Sequence, residues 1–194
     1  TCKCATKIYP NSKGLEVLLT DVVKVSSNKL KVLGSGSSNG VDTRYFNLTP
    51  DLQESSKVFK TKYGLDDCFV FTFIGRIVKD KGSEELIDAY ARLSSEVENV
   101  RLVIVGWEEP LTDPISNHSQ SILKNNTGIV CTGFMDDIRP SLGASDCLIL
   151  ASYREGFPNV VMQAACVNIP SIVSNINGCN EIIQDGSNGL VVEP

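Results

Sequence analysis

The sequence is short of the side chain that most often acts as a general base near neutral pH. Its 194 residues include one histidine, one tryptophan and two methionines. The histidine, His118, lies in the polar stretch 116–120, a setting typical of a solvated side chain rather than of a catalytic base. We therefore expect His118 to lie on the surface.

Long apolar runs and basic runs are also missing. No stretch is apolar over the roughly 20 residues that a membrane-spanning helix needs, and no secretory signal pattern is present. We therefore expect a cytoplasmic protein. The net charge is −5, and the sequence contains no basic cluster. Both features argue against nucleic acid as a general partner. Phosphate binding in such a chain would depend on a few placed basic residues.

The seven cysteines do not form a metal-binding or disulfide pattern. Cys2 and Cys4 are a single C-x-C pair, and zinc sites need a second pair nearby. The other cysteines considered lie in or beside apolar patterns, where a reduced thiol behaves as a small hydrophobe; these are Cys68, Cys131, Cys147 and Cys166. We expect no metal site.

From Phe69 onward, short apolar strands alternate with helical patterns. The predicted strands cover 69–74, 102–105, 128–132, 147–151, 171–174 and 189–192, and the predicted helices between them cover 83–97, 115–123, 138–142, 158–165 and 181–184. This alternation predicts an α/β fold with a Rossmann-like, doubly wound parallel sheet, helices on both faces and right-handed crossovers. No Gly-x-Gly-x-x-Gly follows the first clear strand, so a dinucleotide dehydrogenase is disfavoured.

The first 46 residues are less regular. Short strands are predicted at 5–10 and 30–33 and a helix at 12–23, followed by the Gly/Ser-rich stretch 34–40, which is typical of a linker or hinge. A further helix should start at Thr49-Pro50 and end at Gly64. Because the chain begins with Thr rather than Met, we interpret it as a piece of a longer protein.

The strand at 147–151 leads into a polar loop and then a helix opened by Pro158, a residue favoured at the first helical position. Free N–H groups and the positive end of the helix dipole should point out of the sheet edge there. Glu155 lies in this loop. A carboxylate does not neutralise a phosphate, so we interpret Glu155 either as an acceptor of sugar hydroxyl hydrogen bonds or as a solvated loop acid.

The loop after the first strand carries two cations. Gly75 permits a ligand to approach the backbone, and Arg76 and Lys81 together suit a diphosphate. Lys79 is expected to face solvent. The alternative is a solvated turn whose charges cap the next helix.

Two other loops leave strands at the same edge. Gly133 permits close backbone approach, while Phe134 and Met135 either form an apolar wall for a flat base or pack against the next helix. Trp107 is either a lid or a stacking surface, and the sequence leaves both open.

These residues together carry a resemblance to a known family. They include Gly75-Arg76 with Lys81-Gly82, Val105-Gly106, Gly133-Phe134, Ser145-Asp146, Glu155-Gly156-Phe157-Pro158, Pro170, Ser174, Asn177-Gly178 and the upstream Asn39-Gly40-Val41-Asp42. In this order the chain resembles the C-terminal, donor-binding half of a retaining glycosyltransferase of family 4, which has the GT-B fold.

The resemblance implies a nucleotide-sugar donor, UDP- or GDP-linked, and a glycan or lipid-linked acceptor, with retention of anomeric configuration. Arg76 and Lys81 would neutralise the diphosphate, and Glu155 would match the first acid of the family's Glu-x7-Glu motif. The remaining donor-binding positions would be Gly75, Gly133, Phe134, Met135, Gly156, Phe157, Pro158, Asn159 and Gln163. Gln163 stands where the family has its second acid, which puts nucleoside preference and activity in question.

Further expectations follow from the same resemblance. Residues 1–42 would be the tail of the acceptor domain with the interdomain linker, and residues 43–194 the donor domain, truncated at its C-terminus. No cofactor or metal is expected, and peripheral membrane contact would come through the missing acceptor domain. The fragment should bind nucleoside diphosphate weakly and transfer little sugar. The alternatives are a GT-B sugar-nucleotide epimerase, which would turn over donor without acceptor, and a non-catalytic nucleotide-binding module.

Overall fold

The computed structural model describes residues 2–194 and contains one six-stranded, fully parallel sheet. The strands are β1 Phe69–Ile74, β2 Val100–Val105, β3 Ile129–Gly133, β4 Cys147–Leu150, β5 Ser171–Ser174 and β6 Gly189–Val192. Their spatial order is β3-β2-β1-β4-β5-β6. This order is that of the Rossmann fold, and it confirms the α/β class predicted from the sequence.

The order of the strands fixes where a ligand can bind. From β1 the chain moves to β2 and β3 on one side, and it then returns to β4 beside β1 and moves outward in the other direction. Since the crossovers diverge between β1 and β4, a crevice opens outside the carboxyl ends of these two strands. The candidate loops after β1 and β4 border this crevice.

Helices cover both faces of the sheet, as predicted. They are α1 Lys13–Asp21, α2 Pro50–Tyr63, α3 Ser83–Glu96, α4 Asn117–Asn125, α5 Arg139–Gly143, α6 Asn159–Cys166 and α7 Cys179–Ile182. One core cluster joins α3 to β1 and β2 through residues such as Phe73, Leu86 and Leu102. Two clusters on the other face join α2, α5 and α6 to the strands, with Leu142, Leu148 and Val161 fully buried.

The helix boundaries follow from local chemistry, with two corrections to the prediction. Thr49 caps α2 by accepting from the N–H of Leu52 at 3.3 Å, and Gly64 ends it in the left-handed region at φ 64°. The sequence favours Ser83 as the cap of α3, but Ser83 is its first helical residue and Gly82 is the N-cap. Pro158 is the N-cap of α6 rather than its first helical residue.

Neither of the two strands predicted in the N-terminal segment forms in the described residues. The predicted strands at 5–10 and 30–33 reduce to one bridge between Ile8 and Leu30. The helix predicted at 12–23 is α1, and Ser12 is its N-cap, with Leu15 N donating to its hydroxyl at 3.1 Å. The stretch 34–40 forms turns and bends without helix or strand.

This N-terminal segment is held against the rest of the chain by Glu181 of α7. Its carboxylate accepts the backbone N–H groups of Lys13 at 2.8 Å and Gly14 at 3.0 Å, so an acid from the C-terminal region caps the start of α1. Gly36 lies against the ring of Phe157, close enough that a Cβ there would be 2.7 Å from a ring carbon. Gly36 and Asn11 therefore contact the loop between β4 and α6.

Within residues 2–194, none of the helices combines the length and the apolar character required to cross a bilayer.

Candidate functional site

The loops after β1 and β4 meet in direct contact at the crevice. A Cβ on Gly82 would be 2.0 Å from the carbonyl oxygen of Ala151, so only glycine permits this approach. Tyr153 N donates to Asp80 O at 3.0 Å, and Arg154 Nε donates to Asp80 Oδ1 at 2.7 Å. These contacts fix the two loops relative to each other.

The loop contact brings Lys81 and Glu155 together. Lys81 Nζ lies 2.5 Å from Glu155 Oε1, and their side chains are 21% and 15% exposed. Ser152 Oγ donates to the same oxygen at 2.9 Å. Among residues 2–194 no donor bonds Glu155 Oε2, so that oxygen is available to accept hydrogen bonds from a ligand hydroxyl.

A buried thiol lies behind this carboxylate. Cys179, the first residue of α7, is 0% exposed. Burial, and secondarily the charge of Glu155, raises the pKa of the Cys179 thiol to about 12. The thiol is therefore neutral at physiological pH and serves as packing. Sequence patterns did not single out Cys179, because its proximity to Glu155 depends on the crossover to β5.

Arg76 forms an ion pair that the sequence did not predict. Its guanidinium pairs with the carboxylate of Glu109, from the loop between β2 and α4. The two side chains are 47% and 32% exposed. Arg76 does not contact the Lys81–Glu155 pair. The pKa of Asp80 is lowered chiefly by the hydrogen bond from Arg154, and the charges of Lys81 and Arg76 lower it further.

Arg76 also lines a cleft of about 540 Å³ at this edge. The other lining residues are Val78, Lys79, Asp80, Thr112, Asp113, Tyr153 and Arg154. Lys79 is exposed, as expected, but it lines the same cleft as Arg76 rather than facing away from it. Lys81 and Glu155 lie outside this lining, at the side of the crevice toward α6.

The aromatic residues of the next two loops form an exposed pair. Trp107 and Phe134 have ring centroids 5.5 Å apart at 67°, an edge-to-face arrangement, and they are 49% and 66% exposed. Gly106 N donates to Gly133 O at 2.9 Å, which holds the two loops side by side. Met135, by contrast, packs against a core cluster, so of its two predicted roles the structure favours packing.

The loop at the start of α6 presents backbone donors toward the crevice. No side chain of the described residues caps α6, so its first N–H groups remain available to an anion. Phe157 packs against Gly36, and Gly156 is close to Asn11, so the N-terminal segment covers part of this loop. Asn159 begins α6 and is exposed, and Gln163 lies one turn later, half-buried.

The described residues contain no group of three or more His, Cys, Asp or Glu side chains arranged to hold a metal ion. Six charged side chains from the loops at the crevice form three ion pairs: Lys81–Glu155, Arg76–Glu109 and Arg154–Asp80. Sequence reasoning missed Glu109 and Asp80. The adjacent acids Glu108 and Glu109 in a loop leaving β2 were the available signal.

Comparison with known proteins identifies the family. Residues 55–194 match the family model of the glycosyl transferases group 1. The chain is 33% identical over 190 residues to the capsular polysaccharide biosynthesis glycosyltransferase CapM of Staphylococcus aureus, covering 98% of this chain and 49% of that protein. It is 29% identical over 194 residues to an Escherichia coli UDP-Gal:alpha-D-GlcNAc-diphosphoundecaprenol alpha-1,3-galactosyltransferase, covering 98% and 48%. The chain thus spans about half the length of these relatives.

Solved structures show the same fold. Anabaena HepE in complex with UDP-glucose superposes with a TM-score of 0.81 at 21% identity, over 98% of this chain and 50% of that chain. The C-terminal domain of a glycosyl transferase group 1 family protein (LpcC) from Francisella tularensis gives a TM-score of 0.68 at 27% identity, with 80% of both chains covered. The chain therefore belongs to the group 1 glycosyltransferases and has the Rossmann-like fold of the C-terminal domain in that family.

Proposed function

We propose that this chain is the donor-binding part of a retaining glycosyltransferase that takes its sugar from a UDP- or GDP-sugar. The observation that carries the proposal is the Lys81–Glu155 pair at the crevice between β1 and β4, with an ammonium and a carboxylate 2.5 Å apart beside the start of α6. A sugar diphosphate needs both signs of charge, because its phosphates are anionic and its sugar hydroxyls donate hydrogen bonds.

The phosphates would lie against Lys81, Arg76 and the N–H groups at the start of α6. Negative charge grows on the leaving diphosphate as the glycosidic bond breaks, and fixed cations and N–H groups stabilise that charge more strongly in the transition state than in the ground state. Loss of one such donor typically costs about 3 kcal/mol in the barrier. No cofactor is needed for this step.

The sugar would be held by Glu155. One of its oxygens already accepts from Lys81 and Ser152, which fixes the carboxylate and leaves Oε2 for the hydroxyls. The base would lie along the exposed pair of Trp107 and Phe134, with Gly133 allowing close backbone approach. Gln163 offers a neutral amide to a ribose hydroxyl.

The remaining positions define the frame of the site. Gly75 directly follows β1 and precedes Arg76, and Gly156, Phe157, Pro158 and Asn159 carry the chain from Glu155 into α6. We assign residues 43–194 to the donor domain and residues 1–42 to the tail of the acceptor domain and its linker. The relative from Escherichia coli is named for transfer to a diphosphoundecaprenol-linked sugar, which supports a glycan or lipid-linked acceptor. Contact with the membrane would then come through the acceptor half.

Calorimetric titration of the 194-residue chain with UDP, GDP and ADP tests the donor assignment. We expect weak binding of UDP or GDP and little or no sugar transfer. Absence of binding by all three nucleotides would contradict the donor site. The complete protein distinguishes the alternatives: consumption of donor without acceptor indicates an epimerase, and binding without hydrolysis or transfer indicates a non-catalytic module.

A further inference from the structure

Glu109 forms an ion pair with Arg76, one of the two cations that we propose bind the diphosphate of the donor. We infer that Glu109 sets the affinity of the donor site, because its carboxylate holds Arg76 until the diphosphate of the donor displaces it. The inference rests on the proposed function. The observation behind it is the ion pair between Arg76 and Glu109, which joins the loop after β1 to the loop after β2.

The loop that carries Glu109 is attached to the loop after β1 at both ends, on its N-terminal side through the bridge between Ile77 and Glu108. Trp107 O accepts from Ile77 N at 2.9 Å, and Asp113 Oδ2 accepts from Asp80 N at 2.7 Å. Between these two attachments, Leu111 is 95% exposed. Because the Glu109 side chain is itself 32% exposed, it can rotate away from Arg76 while the bridge at Glu108 and the core stay in place.

The Arg76–Glu109 pair is also the weaker of the two pairs that involve the proposed diphosphate ligands. Its side chains are 47% and 32% exposed, whereas those of Lys81 and Glu155 are 21% and 15% exposed. An exposed pair is screened by water and salt, so a ligand with several negative charges competes with it effectively. The hydrogen bond from Arg76, and then that from Thr112, holds the pKa of Glu109 below its usual value, so Glu109 is charged when it competes.

The two carboxylates at the crevice would thus have opposite roles. Glu155 is bound by both Lys81 and Ser152, and it stays to receive the sugar. Glu109 holds Arg76 through the more exposed of the two pairs and leaves when phosphate arrives. A diphosphate carries more negative charge than one carboxylate, and it presents several oxygens to the planar guanidinium.

The experiment compares Glu109→Gln with Glu108→Gln by calorimetry, using pyrophosphate and UDP as probes. The two substitutions change the net charge equally and are adjacent in the chain. Among residues 2–194 Glu108 makes no ion pair, so it is the matched control. We expect Glu109→Gln to bind both probes about two- to five-fold more tightly than the parent chain, the range set by an exposed ion pair. Glu108→Gln should stay near the parent value.

Each outcome decides between the inference and the proposed function. If the parent chain binds UDP and both variants bind it equally, or if Glu109→Gln binds it more weakly, the inference is wrong and the donor site stands. If only Glu109→Gln binds measurably, the inference is supported in its strongest form. If neither the parent chain nor any variant binds UDP, GDP or pyrophosphate, the proposed function fails, and the inference fails with it.

Discussion

Lys81 and Glu155 are 74 positions apart in the chain, yet their side chains form a partly buried ion pair at 2.5 Å. They meet because the loops after β1 and β4 are in van der Waals contact through Gly82 and Ala151. Since both charges have lost part of their solvation, each one depends on the other and on Ser152.

The first prediction concerns this pair. Replacing one partner leaves the other charge poorly compensated, so Lys81→Met and Glu155→Gln should each lower the free energy of unfolding by about 1–3 kcal/mol. The double variant should be destabilised by less than the sum of the two. Urea unfolding of the four proteins gives the coupling energy. Additive losses would mean that the contact contributes no stability.

The second prediction separates the cations of the loop after β1. Arg76→Ala should weaken UDP binding at least about ten-fold, as expected for loss of a charged hydrogen bond to phosphate. Lys79→Ala should leave the affinity nearly intact. Both residues line the same cleft, so the comparison keeps the location constant and changes only the side chain. Calorimetry with UDP measures both, and equal effects would show that the basic pair is assigned to the wrong residues.

The third prediction uses Trp107, the single tryptophan of the chain, as a natural fluorophore. If the base stacks on the pair with Phe134, UDP should change the emission of Trp107 and pyrophosphate should not. Phe134→Ala should weaken UDP binding by about 1 kcal/mol, the low end for base stacking, and should leave pyrophosphate binding unchanged.

A matched control for the stacking prediction exists in Phe69. It is 48% exposed and packs against Phe71 with ring centroids 4.9 Å apart. It lies at the amino end of β1, whereas the crevice is at the carboxyl end of that strand. Phe69→Ala should not affect UDP binding. If it weakens binding as much as Phe134→Ala does, the effect comes from general destabilisation and the base lies elsewhere.

The fourth prediction tests the contact between the two loops. Gly82 and Gly64 have nearly the same backbone conformation, with φ 65° and 64°, but a Cβ on Gly82 would meet Ala151 O at 2.0 Å whereas a Cβ on Gly64 would meet nothing within 4 Å. Gly64→Ala should cost about 1 kcal/mol for the left-handed conformation alone. Gly82→Ala should cost about 1–3 kcal/mol more, because it also overpacks the loop contact. Urea unfolding measures both, and equal costs would mean that the loops separate easily.

The fifth prediction concerns pH. The guanidinium of Arg154 lowers the pKa of Asp80 below its usual value of 3.8, so the folded state binds this proton less readily than the unfolded state does. The stabilisation is therefore present above that usual value and is lost as the pH falls through the lower, folded pKa. Asp80→Asn should be less stable than the parent chain at about pH 6, and the difference should shrink by about pH 3. A difference that is constant between these pH values would mean that the charge of Asp80 is not involved.

Much of the fold could be predicted because it depends on local patterns. The runs at 69–74, 171–174 and 189–192 gave strands with the observed bounds, and Thr49 and Gly64 marked both ends of α2. The runs at 5–10 and 30–33, each of which contains a lysine, were also predicted as strands but form only the bridge between Ile8 and Leu30. A strand needs a partner along its length, and the sequence of one segment does not reveal whether that partner is present.

The site was predictable to the extent that strand ends determine it. Lys81 and Glu155 follow neighbouring parallel strands, so their convergence follows from the strand order. The partner of Arg76 did not follow, because Glu109 reaches it from a loop whose path is set by the attachments at Trp107 and Asp113. Met135 was ambiguous for the same reason, since the side on which a loop residue lies is decided by packing.

The two attachments of the loop between β2 and α4 divide the site into a constant part and a variable part. The proposed contacts to the nucleotide sugar come from loops that follow strand ends and meet at Gly82, where no larger residue fits. The segment from Glu109 to Thr112 lies between the bridge at Glu108 and the hydrogen bond at Asp113, and none of its residues belongs to a core cluster of the described chain. Substitutions or insertions in this segment would change the affinity and the choice of ligand, while the sheet and its core keep their structure.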